Sequence, residues 1–184
     1  MDQNTHQPLP ESEIIQLLLG GDRRSIGQSE FVAKEVLAQP SLLEILVPAL
    51  DHSSDLVRMR AADALEKISR VNISVVSPYQ MYLLGLLDRT QQAEVKWHLA
   101  QIIPRFAWNV NDRQYAFGVF KSWLNDASRI VRTFALQALA DLAESDKNLR
   151  QEVSKYLVDA KESSIPALRS RANKILSRWE KRGC

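Results

Sequence analysis

Cysteine, glycine, histidine and long apolar runs are all scarce in this 184-residue chain, and each scarcity excludes something. The lone Cys184 rules out an intrachain disulfide and a thiolate metal cluster within the chain, which points to a reducing, cytoplasmic setting. No stretch approaches the roughly 20 apolar residues that a membrane span requires, so no membrane partner is expected. With only 6 glycines there is no phosphate-cradling loop. HExxH and GxSxG are missing as well, so no enzyme activity and no cofactor is expected. His6, His52 and His98 have no spacing that sets two of them on one helical face, and no metal site is expected. An excess of one charge is missing too. Against 22 Asp+Glu stand 24 Lys+Arg, so the field of the whole molecule selects no polyanionic partner.

What the chain does have is a period. Leu46, Leu83, Phe120 and Leu157 follow one another at steps of 37 residues, as do Leu42, Tyr79, Ala116 and Val153, and Leu50, Leu87 and Leu124. Within each unit these positions fall at i, i+4 and i+8, one apolar stripe on a helix. A polar connection follows, opening with Asp51, Asp88, Asn125 and Glu162 at the same step, where acceptors suit a turn or a cap. Then comes a second helix, read from Leu56, Glu94, Ile130 and Ala167, with small residues such as Ala61, Ala100, Ala135 and Ala172 at its centre. Pro104 inside the second of these removes a backbone donor and should kink or end it.

Two helices of this size cannot hide their apolar stripes alone, and stacking on the next pair does so. The run AL-DH-x4-VR-x2-AA-x-AL from Ala49 to Leu65, echoed by WLND-x4-VR-x2-AL-x-AL from Trp123 to Leu139, resembles the HEAT repeat family. The resemblance implies an all-α, right-handed α-α superhelix of about four helix pairs plus an N-terminal cap. Residues 1–12 read as a flexible lead without a signal pattern, and 13–184 as a single solenoid domain. Within it the cap takes 13–39, with breakers at Gly20 and Gly21, and the repeats take about 40–76, 77–110, 111–146 and 147–182.

A cation recurs near the start of each second helix, as Arg58, Lys96, Arg132 and Arg169. In repeats of this kind it commonly pairs with the acidic residue of the preceding turn. Here that would be Asp51, Asp88, Asn125 with Asp126, and Glu162; a phosphate- or acid-binding row is the other reading. Residues 147–184 hold 10 Lys+Arg and 4 Asp+Glu, a local +6 that leaves −4 before them. Arg171, Lys174 and Arg178 form a basic stripe on the last helix, extended by Lys181 and Arg182, which either holds a polyanion or is a solvated face. Trp97 beside Lys96 is either a partner anchor or a packed edge residue.

The function that follows is a protein-interaction scaffold or adaptor taking a peptide or protein on the concave surface of the second helices. An exposed mixed surface of Met59, Arg60, Trp97 and His98, with no deep pocket, is expected there. The alternative is a nucleic-acid-binding protein related to the HEAT-like DNA glycosylases, working through basic residues of the second helices. A third reading is a relative of the HEAT-like bilin lyases. The sequence shows neither the acidic residue flanked by aromatics that the glycosylases require nor a pigment site.

Overall fold

The computed structural model describes residues 11–20 and 25–182. Most of the expected lead, with His6, lies outside them, as do Gly21 and Cys184. Among the described residues the structure is helical, with no strand. The chain divides into two compact units, residues 1–79 and 80–184.

The first unit is built on α4 (Asp55–Val71), against which α1 (Glu11–Leu19), α2 (Ser29–Ala38) and α5 (Ile73–Val76) pack. Ala61, Ala62 and Ala64 at the centre of α4 are fully buried, and their small side chains let Ile14, Leu18, Val32 and Val36 of the flanking helices close on it. The apolar stripe of Leu42, Leu46 and Leu50 is buried as its period requires, but not on one continuous helix. Only Leu43–Leu46 is α-helical (α3), between 3-10 turns at Pro40–Leu42 and Pro48–Asp51. Proline supplies no N–H to the preceding turn and clashes with its carbonyl, so Pro48 ends the helix. Pro78 does the same after α5, where Ser77–Tyr79 is again a 3-10 turn.

The second unit alternates α6 (Gln80–Arg89), α7 (Ala93–Ile102), α8 (Val110–Trp123), α9 (Arg129–Leu142), α10 (Lys147–Lys161) and α11 (Pro166–Lys181). The second helices match the sequence reading to within a residue or two at their starts. α7 stops at Ile102 and passes into a 3-10 turn at Ile103–Arg105, the effect expected of Pro104. α7, α9 and α11 lie side by side in one layer. α8 and α10 back them, joined by Lys121 and Glu152 at 2.8 Å. Phe120, Val131, Leu136, Leu139, Val153, Leu157 and Ile175 fill the space between the layers.

Three helices of this unit, α8, α9 and α10, start on side-chain caps that differ from the connection residues singled out in the sequence. The Asn109 side chain accepts from the Asp112 amide at 2.9 Å, Ser128 Oγ from Val131 at 3.4 Å, and Asp146 from Asn148 and Leu149 at 3.0 and 3.2 Å. Asn125 and Glu162 are exposed.

Candidate functional site

Three of the repeating cations, Arg58, Lys96 and Arg169, hold turns or neighbouring helices. Arg58 donates to the carbonyls of His52 and Ser53 at 2.7 and 2.9 Å, and Arg169 donates to Ser163 at 2.6 Å. Each guanidinium therefore reaches back six residues and ties the preceding turn to its helix. Lys96 does not turn back to Asp88. Its Nζ lies 2.8 Å from Asp126 Oδ2 in the turn that follows, and sits over the Trp123 ring, 5.5 Å from its centre. Asp88 instead accepts a hydrogen bond from the Tyr115 hydroxyl, which pushes that phenol up to about 12, with burial and the Asp88 charge adding to the effect. Burial alone would raise the Asp126 carboxyl. The Lys96 hydrogen bond, the Ser128 amide and the charges of Lys96 and Arg132 outweigh it and hold the group below its ordinary value. Of Asn125 and Asp126, offered together for the third rung, Asp126 is the one near the cations Lys96 and Arg132, and Asn125 is exposed.

Arg60, expected on a partner-facing surface, is fully buried. It donates to Leu18 O at 2.8 Å, to Gly20 O, and to Ser25 O at 3.3 and 3.2 Å, so it closes the carbonyl end of α1 and the loop beyond it. The period places Arg60 correctly on α4 but carries no information about carbonyls 35 to 42 residues away. Met59 beside it is half-buried.

Trp97, His98 and Arg171 are brought together in the second unit. They line a groove of about 750 Å³ across α7, α9 and α11. His98 is buried, its ring in a T-shaped contact with Trp97 at 5.6 Å between centroids. Trp97 is half-buried and lies 6.5 Å from Phe134, so it is at once a packed residue and a wall of the groove. Ile130, 45% exposed, lines it from α9, and Ile165, Pro166 and Ala167 line it from the start of α11. Gln101 Nε2 is held by Trp97 O at 3.2 Å, and Thr133 Oγ1 by Arg129 O at 2.8 Å. A second cavity of about 330 Å³, lined among others by Arg105, Gln137, Asp141 and Glu144, shares Gln101, Phe134 and Arg171 with the first. The two adjoin at these shared residues, one mainly apolar and the other mainly polar.

The basic stripe on α11 is divided in its use. Arg178 pairs with Asp141 at 2.9 Å and Arg182 with Glu144, both carboxylates of α9 or the turn after it. Arg171 donates to the neutral Gln137 amide oxygen at 3.1 Å and lies over the Phe134 ring, 5.3 Å from its centre. Lys174 is exposed and, with Arg178, lines a separate shallow depression on α11.

Ile130 and Phe134 were not singled out in the sequence. A signal was there: at i and i+4 they begin a stripe that continues as Gln137 and Asp141, so the polar face of α9 opens with two bulky apolar side chains. No group of acidic, histidine or cysteine side chains among the described residues could hold a metal ion. No described helix is long and apolar enough to cross a membrane.

No family model matches the sequence, and no curated protein matches it. Among solved structures the chain is similar to a designed armadillo repeat protein, at 21% identity and a TM-score of 0.60, over 90% of this chain and 80% of that one. The fold is that of a helical-repeat solenoid.

Proposed function

We propose that the protein is a non-enzymatic, HEAT-like scaffold that binds an extended segment of a partner protein in the groove across α7, α9 and α11. The observation that carries this reading is the adjacency of two grooves that share Gln101, Phe134 and Arg171. An apolar stretch walled by Trp97, Ile130, Phe134 and Ile165 adjoins a polar one lined by Gln101 and Gln137 together with Arg105, Asp141 and Glu144. Apolar walls suit anchoring side chains, and side-chain amides suit the N–H and C=O groups of a peptide lying between them. Repeat solenoids supply such elongated surfaces because each pair of helices adds one strip of it. The nucleic-acid alternative loses its main support, since Arg178 and Arg182 of the basic stripe are compensated by Asp141 and Glu144.

The test is selection from a displayed library of random 12-residue peptides on the full chain, with each recovered peptide re-measured on the Ile130→Asp variant. Ile130 is exposed enough for the change to leave the fold intact. A buried charge in the apolar wall should weaken binding at least about tenfold. Peptides that bind both proteins equally would place recognition elsewhere.

A further inference from the structure

We infer that the segment bound in this groove carries an acidic residue next to its apolar anchor, and that Arg171, aided by Arg129, reads it. The inference rests on the peptide-binding reading above and names what that peptide must contain. Three arginines of α11 and its C-cap face α9, and two of them are neutralised: Arg178 by Asp141 and Arg182 by Glu144. Arg171 is the one that lines the apolar stretch, and it is held only by a neutral amide and an aromatic face. These contacts orient its planar fork without cancelling its charge, leaving donors for a carboxylate. Arg129 lines the same stretch from the first turn of α9, where the helix dipole disfavours a cation. No carboxylate lines the apolar stretch, and neither Arg129 nor Arg171 has an ion-pair partner among the described residues. A half-buried guanidinium beside Trp97, Phe134 and Ile130 is complementary to an acidic side chain flanking a bulky apolar one.

The experiment takes one recovered 12-residue peptide and its acid-to-amide counterpart, and titrates both calorimetrically into the wild type, Arg171→Gln and Arg171→Lys. The acid-to-amide change should cost about tenfold in affinity on the wild type, as loss of a charge-assisted hydrogen bond does. On Arg171→Gln it should cost little, and on Arg171→Lys an intermediate amount. Peptides that require an intact Ile130 yet show no acid preference, or an acid preference untouched by Arg171→Gln, overturn this inference and leave the peptide reading standing. Recovery of no peptide that depends on Ile130 overturns both. N-acetyl-phenylalanine binding as tightly as the peptide would make the occupant a small carboxylate. A dimer that Ile130→Asp dissolves would make it a second copy of the chain. Either result contradicts the inference.

Discussion

Lys96 Nζ and Asp126 Oδ2, 30 residues apart in sequence, lie 2.8 Å from each other with their side chains only 13% and 14% exposed. The pair joins the start of α7 to the turn that opens α9, so it fixes the two helices that carry Trp97 and Ile130. Replacing Lys96 by Met should cost about 1–3 kcal/mol at neutral pH, because a desolvated carboxylate loses its charged donor. The Asp126 carboxyl is lowered in the folded chain, so its contribution is present above the ordinary value of 3.8 and is lost as pH falls through the folded value. Urea unfolding of wild type and Lys96→Met at several pH values should therefore show a gap that narrows below about pH 4. A gap that stays constant into strong acid would remove Asp126 as its origin.

Gly27 and Arg60 make a second joint. Gly27 has φ +56°, and a β-carbon there would lie 2.7 Å from the Arg60 guanidinium carbon. Gly27→Ala should destabilise by at least about 1–2 kcal/mol from the backbone alone, with displacement of Arg60 added. Arg60→Met keeps the volume but leaves the Leu18, Gly20 and Ser25 carbonyls without this donor, a loss of about 3 kcal/mol. Because Arg60 closes the end of α1, hydrogen exchange should speed up first in α1 and its following loop. Exchange that rises equally everywhere would contradict this local role.

The Tyr115 phenol gives a spectroscopic check on the connection between α6 and α8. Absorbance titration should show one tyrosine ionising near pH 12, against an ordinary 10.0, and Asp88→Asn should bring it down. An unchanged titration would place the cause in burial instead.

Much of this architecture is legible in the residues. The 37-residue step locates four second helices, because an apolar stripe and a centre of small residues recur wherever helices must stack. The step also marks Leu42, Leu46 and Leu50 as buried, yet it is blind to Pro48, which breaks the helix while leaving the stripe inside. Side-chain partners were harder to read. Arg58 and Arg169 seek turn carbonyls, which every residue possesses, so no residue type marks the pairing. Lys96 departs from both because Asp126 offers a carboxylate in the next turn. The groove was half legible. Trp97, His98 and Arg171 stand out by type, whereas Ile130 and Phe134 pass for core residues until the three helices are laid side by side.

The chain has four tryptophans, and only some can sense the groove. Trp97 walls it, whereas Trp123 and Trp179 are 6% and 5% exposed and do not line it. The indole N–H resonances of ¹⁵N-labelled protein, assigned by single Trp→Phe variants, therefore report where a ligand sits. On addition of a selected 12-residue peptide, the account requires the Trp97 indole to shift while those of Trp123 and Trp179 stay in place. A peptide that binds while leaving the Trp97 indole unmoved would contradict the groove as the binding site.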